Sequence, residues 1–299
     1  MSQNIKIKTF DDFISSLNVT HPEFEKFLKL GDMTALFHEE SKNQFIKLNY
    51  ERGLLLYCLI TKYQPKNVLE IGTASGFGTL CMAWAMVENN INGKIYTIDP
   101  IPINEKTKRV LNDQKNGPKI ENISVKELWE KTAKKEWLDK ITPISGYSGK
   151  ILDEYSLPKF DFGYIDGAHF FDAVKHDFYS FLNHTNNEFG MLFDDYVDRP
   201  HYGIKKLVDS DISKNFDVSL IKTDTDLHLE KILSLPKHDY GMCWLHSNSL
   251  KKSLNDAYPQ SIREEYIKKY IKFENRLARR YKLNKKIPLL KNIRFKFWN

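Results

Sequence analysis

Three carboxylates and one histidine follow apolar segments in the middle of this chain. Asp166 comes directly after one apolar run, His169 lies three residues later, and Asp194 and Asp195 end the next apolar run. Carboxylates held close together repel one another, and a hard cation such as Mg²⁺ relieves that repulsion by binding their oxygens. A histidine titrates near neutral pH and can accept a proton from a hydroxyl group. This pattern predicts a divalent-metal site on Asp166, Asp194 and Asp195, with His169 as the catalytic base.

A plainer interpretation stays open for each of these residues. Single aspartates cap helices or pair with cations such as Arg199 and Lys205. His169 would then be a surface histidine at the start of a helix. His201 and Tyr202, just after the acidic pair, are weaker candidates for contact with a substrate.

A second group of residues surrounds a glycine-rich turn. The apolar run 68–71 breaks at Gly72, and Gly76 and Gly78 follow, which lets the backbone turn sharply and a ligand approach the main chain. Asp99 closes the next apolar run, where a carboxylate can accept both hydroxyls of a ribose. This order predicts a site for a nucleoside-bearing cofactor, against the alternative of a packing turn. The glycine spacing does not fit the G-x-G-x-x-G fingerprint of dinucleotide sites.

The segment Leu69-Glu-Ile-Gly-Thr-Ala-Ser-Gly76 resembles the first motif of class I S-adenosylmethionine-dependent methyltransferases. The resemblance runs from about Leu54 to His246. It implies S-adenosylmethionine as cofactor, and the stretch from Ile144 to Ser148 resembles the part of that family near the adenine. The cofactor-binding residues that it implies are Glu70, Gly72, Thr73, Ser75, Gly76, Asp99, Ser148 and Asp166.

The segment Ile165-Asp-Gly-Ala-His169, with Asp194 and Asp195 downstream, resembles the metal-dependent O-methyltransferases of macrolide sugars, the mycinamicin and macrocin type, and their bacterial relatives. In that group the matching acids hold Mg²⁺ and the matching histidine is the base. Catechol O-methyltransferases share the metal layout, but they commonly have Asn as the last ligand and a lysine base. The resemblance therefore implies divalent-metal-assisted methylation of a hydroxyl on a sugar or glycoconjugate.

Two other functions stay open. One is O-methylation of a small phenol or catechol. The other is a non-catalytic, cofactor-binding partner of another enzyme, although such a protein would not need a cation site beside its cofactor. A nucleic-acid methyltransferase is not expected, because the chain lacks an Asn/Asp-Pro-Pro-Tyr/Phe type motif.

Apolar strands alternate with helices through the middle of the chain. This alternation predicts an α/β fold with a doubly wound, mostly parallel sheet, and the resemblance implies the seven-stranded, Rossmann-like methyltransferase form. We expect an N-terminal helical region (1–64), a methyltransferase domain (65–248) and a basic helical C-terminal extension (249–299). Residues 105–140, polar and rich in lysine, are expected to form an irregular insertion that could cover the substrate. Ligands bind such sheets at the carboxyl ends of the strands, where both motifs fall.

Positive charge is concentrated near the C-terminus. Residues 251–299 contain 15 Lys and Arg against 4 Asp and Glu, a net charge of +11 in a chain whose total is +6. The spacing of apolar residues over 261–283 is compatible with a helix, and 285–299 mixes basic with apolar residues. This extension would either pack on the catalytic domain or a dimer partner, or make peripheral contact with an anionic membrane. It lacks any recognisable nucleic-acid motif.

The remaining sequence features concern the compartment. Cys58, Cys81 and Cys243 lie in apolar stretches without metal spacing, which indicates buried thiols in a reducing compartment. No apolar run reaches the length of about 20 residues that spans a bilayer, and the N-terminus lacks the apolar core of a signal peptide. We expect a cytoplasmic enzyme, with attachment to the inner membrane surface as an alternative. Its partner would be a small-molecule or glycan acceptor, and a homo-oligomer stays open.

Overall fold

The computed structural model describes residues 4–34, 36–39, 44–47, 50–113, 117–223 and 241–286. The strands are β1 Ile5–Thr9, β2 Leu36–Glu39, β3 Gln44–Lys47, β4 Asn67–Ile71, β5 Lys94–Asp99, β6 Thr107–Asp113, β7 Gly117–Ile123, β8 Ile141–Ser145, β9 Phe160–Ile165, β10 Thr185–Tyr196, β11 Val218–Lys222 and β12 Gly241–His246. The helices are α1 Phe10–Leu17, α2 Phe24–Thr34, α3 Glu51–Tyr63, α4 Phe77–Glu88, α5 Val125–Thr132, α6 Lys135–Leu138, α7 Ser148–Glu154, α8 Phe171–His184, α9 Ile204–Leu207, α10 Ser213–Asn215, α11 Leu254–Ala257 and α12 Gln260–Lys286.

One eight-stranded sheet organises the described chain, in the order β1-β11-β12-β10-β9-β4-β5-β8. Strand β12 runs antiparallel to β10 and β11, and the other neighbouring pairs are parallel. The predicted α/β fold with a mostly parallel sheet is therefore confirmed. The predicted number of seven strands is wrong by one, because β1 pairs with β11 from Ile5 opposite Val218 to Thr9 opposite Lys222. In the sequence, β1 shows only a short alternation of isoleucine and lysine, because successive side chains of a strand point to opposite faces. This strand was therefore not predicted.

Two apolar clusters cover the two faces of the sheet. Val68 of β4 packs in the cluster with α3 and α4, whereas its neighbour Leu69 packs in the cluster with α8 and α9. Strands that are buried on both faces are apolar at every position, which explains the continuous apolar runs of the sequence. The three cysteines are free and buried, as the sequence predicts.

The described part of the segment 105–140, expected to be an irregular insertion, forms regular strands and helices, which corrects that expectation. Strands β6 and β7 form an antiparallel hairpin, and helices α5 and α6 follow it. Helix α5 begins with a capping box, in which Glu127 N donates to Ser124 Oγ at 3.2 Å and Ser124 N donates to Glu127 Oε2 at 3.0 Å. The cap fixes where α5 starts and therefore where its buried Trp129 lies.

The long helix α12 packs on α7 and α8. Its Glu274, which is only 4% exposed, accepts hydrogen bonds from Gly149 N at 3.3 Å and Lys150 N at 3.1 Å. Tyr270, one turn earlier, stacks on His176 of α8 with ring centroids 4.4 Å apart. The predicted helix is thus present, while residues 287–299, and the side chains from 281 onward, lie outside the described part of the chain. The predicted membrane contact therefore stays a prediction.

Among the described residues, no helix combines the length and the apolar character that crossing a membrane requires.

Candidate functional site

The two sequence motifs meet at the carboxyl ends of β4 and β9. Asp166 N donates to Ile71 O at 2.9 Å, which extends the pairing of the two strands by one bond. Gly72 has a φ of +99°, and a Cβ at this position would overlap the carbonyl oxygen of Asp166. Only glycine combines this backbone conformation with such a close approach. The glycine turn is therefore fixed directly against the first predicted acid.

A bulge in β10 lets two successive aspartates face the same region. Phe193 pairs with Cys243 and Tyr196 with Gly241, so β10 contains one more residue than β12 between these pairs. Asp195 lies in the extra stretch with a φ of +56°, and its amide donates to Asp194 Oδ1 at 2.9 Å. In a regular strand these two side chains would point to opposite faces. The bulge places both near the end of the strand.

Arg52 joins two of the three predicted metal ligands. Its Nη1 atom lies 3.1 Å from Asp166 Oδ2 and 2.9 Å from Asp194 Oδ2. The hydroxyl of Tyr164 is 3.1 Å from each of the same two oxygens. Burial and the neighbouring Asp194 raise the pKa of Asp166 well above its usual range, while Arg52 opposes that rise. Neither Arg52 nor Tyr164 is among the site residues predicted from the sequence.

Close helix packing brings Arg52 to this position. Arg52 lies in the first turn of α3, and the next residue, Gly53, faces α4. A Cβ on Gly53 would come within 2.5 Å of Phe77 Cζ and 2.9 Å of Cys81 Sγ, so α3 and α4 approach closely only because this residue is glycine. The guanidinium then extends over the Phe77 ring, 5.8 Å from its centroid.

The third acid pairs with the predicted base. His169 Nδ1 lies 2.7 Å from Asp195 Oδ2, and Tyr202 stacks on the His169 ring at a centroid distance of 4.9 Å. Burial lowers the pKa of His169, but Asp195, Asp166 and Asp194 together outweigh burial and raise it to about 9. The loop after β10 holds this arrangement, since Gly203 N donates to His169 O at 2.6 Å. His201 is exposed beside Tyr202.

The glycine turn is covered by the ordered insertion. Trp129 of α5 donates from Nε1 to Ser75 O at 3.0 Å, and a Cβ on Gly76 would overlap its indole ring. Arg109 of β6 donates from Nη1 to Ser75 Oγ at 2.7 Å. Trp129 and Arg109 therefore fix the turn from the outside. The sequence around Trp129 and Arg109 does not show these contacts, because both residues lie more than thirty positions from the turn.

The predicted cofactor residues lie around this turn at different depths. Asp99 Oδ2 accepts from Ala74 N at 3.0 Å and Oδ1 accepts from Ile101 N at 2.8 Å. A carboxylate has about four acceptor positions, so this half-buried side chain keeps capacity for a ligand. Thr73 is buried and its hydroxyl bonds that of Thr97.

Glu70 lies beneath the turn. Its side chain is 1% exposed and accepts a hydrogen bond from Thr79 Oγ1 in α4. Burial raises its pKa to about 7, although Thr79, Thr97 and Arg52 oppose the rise. Ser148, at the start of α7, donates to Asp177 Oδ1 of α8 at 2.7 Å. The preceding loop adjoins Asp99, because Gly146 N donates to Asp99 O at 2.9 Å. The roles of Glu70 and Ser148 toward a cofactor stay predictions.

The predicted metal site is not supported by the arrangement of the described side chains. No group of three or more His, Cys, Asp or Glu side chains in the described ranges is arranged to hold a metal ion. Asp166 and Asp194 are bound by Arg52, and Asp195 is paired with His169. The three carboxylates lie at neighbouring strand ends as expected, but one oxygen of each is already paired with Arg52 or His169. These donors therefore do not fit Mg²⁺ in this arrangement.

Comparisons with known proteins agree with the fold. Residues 69–196 match a family model described as a methyltransferase domain. None of the curated proteins matches this chain in sequence.

Solved structures similar to this chain include the O-methyltransferase TomG of tomaymycin synthesis from Streptomyces achromogenes in complex with SAM. It is 18% identical with a TM-score of 0.48, and the match covers 79% of this chain and 94% of TomG. An O-methyltransferase from Bacillus cereus in complex with SAH is 14% identical with a TM-score of 0.48, over 79% of this chain and 95% of that one. The SAH-bound methyltransferase PaMTH1 from Podospora anserina is 14% identical with a TM-score of 0.48, over 81% and 94%.

The matched segment runs from β4 to the end of β10 and so contains the glycine turn, Asp99, Asp166, His169 and the acidic pair. Over these residues the chain is thus similar to a methyltransferase domain, as the sequence predicts.

Proposed function

We propose that this protein transfers a methyl group from S-adenosylmethionine to a hydroxyl group of a sugar or glycoconjugate, with His169 as the base. The observation that carries the proposal is the direct contact between Gly72 and Asp166. It joins the turn of the methyltransferase domain to the strand end that precedes His169. A methyl donor on one side and a proton acceptor on the other are the two requirements of O-methylation.

The cofactor would be held by residues around the glycine turn. Asp99 offers its remaining acceptor positions to the ribose, and the backbone from Thr73 to Gly76 borders the same space. When bound, S-adenosylmethionine would supply a methyl group carried on a positively charged sulfur. Transfer of that methyl group to an acceptor oxygen would leave the sulfur as a neutral thioether. The chain itself binds and orients the cofactor and the acceptor, and it accepts the proton of the acceptor hydroxyl.

The proton is taken up by the His169–Asp195 pair. His169 Nδ1 lies 2.7 Å from Asp195 Oδ2, a pairing that favours the tautomer with its proton on Nδ1 and leaves Nε2 to accept the acceptor's proton. The resulting imidazolium is stabilised by the carboxylate. Tyr202, stacked on the ring, holds its plane. The hydroxyl oxygen thereby gains the electron pair of its O–H bond as it forms the new bond to carbon.

The charged surroundings favour a polyhydroxylated acceptor over a phenol. Asp195 and Asp166 are partly exposed carboxylates, at 16% and 17% of their side-chain surface, and a carboxylate accepts hydrogen bonds from neighbouring sugar hydroxyls. Metal assistance is not part of this proposal, because Arg52 already binds Asp166 and Asp194.

The proposal is tested in two stages. Calorimetric titration of S-adenosylmethionine and S-adenosylhomocysteine into the purified protein measures cofactor binding. Transfer of a labelled methyl group is then measured against nucleotide sugars and glycans, and in parallel against phenols and catechols. We expect both ligands to bind and label to enter a sugar. Label in phenols alone would replace the acceptor class, and no binding of either ligand would overturn the proposed function.

The base is tested with His169→Asn. General-base removal costs about 100-fold or more in rate, so we expect that loss in methyl transfer with unchanged binding of S-adenosylhomocysteine. His21→Asn is the matched control, because His21 is exposed in the N-terminal region. Equal transfer rates in His169→Asn and His21→Asn would show that His169 is not the base.

A further inference from the structure

The guanidinium of Arg52 occupies the space between two carboxylates at neighbouring strand ends. Its Nη1 lies 3.1 Å from Asp166 Oδ2 and 2.9 Å from Asp194 Oδ2, within ion-pair distance of both. The exposed fractions of the three side chains are 13%, 17% and 0%. Ion pairs this well buried are screened little by solvent, and removal of one partner leaves an uncompensated charge.

The packing of α3 against α4 holds Arg52 in this position. The contact of Gly53 with Phe77 and Cys81 sets the distance between α3 and α4, and the Phe77 ring lies under the guanidinium. Tyr164 adds a hydroxyl at 3.1 Å from each of the two carboxylate oxygens. For a metal ion to bind both aspartates, Arg52 would have to break both ion pairs and leave a largely buried site.

A guanidinium and a divalent cation serve these carboxylates differently. Mg²⁺ requires oxygen ligands at about 2.1 Å in an octahedral arrangement and keeps open positions for water or substrate. Arginine is permanently charged, has no open coordination position and fixes carboxylates through directed N–H bonds. The third acid, Asp195, also has a protein partner, since it is paired with His169 at 2.7 Å.

We propose that Arg52 is a positioning residue that takes the place of a metal ion, so that this enzyme works without a divalent cation. The inference rests on the proposed function for the reaction itself. Arg52 neutralises Asp166 and Asp194, holds the ends of β9 and β10 together, and thereby keeps His169 and Asp195 aligned. Activation of the acceptor then depends on His169 alone.

The first test measures metal binding directly. Mn²⁺ is added to the purified wild-type protein at millimolar concentration, and the free ion is measured by electron paramagnetic resonance with and without S-adenosylhomocysteine. We expect no stoichiometric Mn²⁺ binding in either state. One tightly bound Mn²⁺ per chain that competes with Mg²⁺ would overturn the proposal. Failure of S-adenosylhomocysteine to bind would instead count against the proposed function, so the two failures are distinguishable.

Variants of Arg52 supply the second test. In Arg52→Ala the paired carboxylates lose their cation, so we expect this variant to bind Mn²⁺ where the wild type does not. In Arg52→Lys the charge is kept, and we expect no Mn²⁺ binding. Arg276→Ala, an exposed arginine of α12, is the control. If Arg52→Ala does not fold, the wild-type measurement and Arg52→Lys decide the question.

Methyl transfer gives an independent readout once an acceptor is known. EDTA should leave the wild-type rate unchanged, whereas Arg52→Ala should lose about 100-fold, as expected when an electrostatic contact in an active site is removed. Loss of the wild-type rate in EDTA, with recovery on addition of Mg²⁺, would contradict the role assigned to Arg52.

Discussion

Glu274 connects the C-terminal helix to the edge of the proposed cofactor site, and its removal should lower both stability and affinity for the cofactor. The carboxylate accepts from Gly149 N at 3.3 Å and Lys150 N at 3.1 Å, in the first turn of α7. Ser148, a predicted cofactor residue, begins that helix. The change Glu274→Ala therefore leaves two amides of the helix start without their acceptor.

The size of the effect follows from these contacts. A hydrogen bond to a charged group contributes about 1.5–3 kcal/mol, and the lengths of both bonds place them at the lower end. Burial raises the pKa of Glu274 and the two amides oppose that rise, which shows that burial of the charge offsets part of the gain. We expect Glu274→Ala to lower the free energy of unfolding by about 2–3 kcal/mol and Glu274→Gln by about 1 kcal/mol.

Urea unfolding measures the stability, and calorimetry measures binding of S-adenosylhomocysteine. Glu265→Gln is the matched control on the same helix, because Glu265 is exposed and should change stability by less than about 0.5 kcal/mol. We expect affinity for S-adenosylhomocysteine to fall about tenfold in Glu274→Ala, equivalent to about 1.4 kcal/mol. If Glu274→Ala unfolds at the same urea concentration as Glu265→Gln, the contact does not stabilise α7 and the reasoning is refuted.

Two further predictions concern the centre of the site. Gly72→Ala should abolish binding of S-adenosylhomocysteine and lower the thermal midpoint, because its Cβ would overlap Asp166 O. Gly117→Ala shares the positive φ but has open space around its Cβ, so equal effects in both variants would show that the contact is unimportant. The pKa of His169, about 9, should make kcat/KM rise with pH up to that value, because the base must be neutral. Asp195→Asn should move this rise toward pH 6.5, the ordinary value for histidine, and an unmoved profile would exclude His169 as the titrating group.

The central strands and their ends could be predicted from the sequence because burial on both faces makes each strand a nearly continuous apolar run. Strands β4, β5 and β9 are mostly apolar and buried, and Asp99 and Asp166 stand where these apolar runs stop. Because these strands run parallel, their carboxyl ends lie at the same edge of the sheet. Local sequence was sufficient for these features because the burial that causes them is continuous along the chain.

The contacts that complete the site could not be predicted, since they join distant parts of the chain. Arg52 meets Asp166 across 114 residues and Asp194 across 142. In the sequence it is a cation in the first turn of a helix, a position where most charged residues face water. Trp129 was visible as a large apolar residue, but its contact with Ser75 depends on how the β6–β7 hairpin and α5 fold over the turn. The metal prediction rests on the carboxylates alone, because the sequence does not show the cation between Asp166 and Asp194.

Strand β1 also protects the protein from association through its sheet. Without it, the outer edge of β11 would expose a row of unpaired N–H and C=O groups, which can pair with a strand of another molecule. Among the described strands, β1 has only β11 as a neighbour, so it forms the edge itself. Lys6 and Lys8 alternate with isoleucine along it. Lysine on an edge strand disfavours further pairing, so Lys6 and Lys8 make this edge of the sheet a poor template for aggregation.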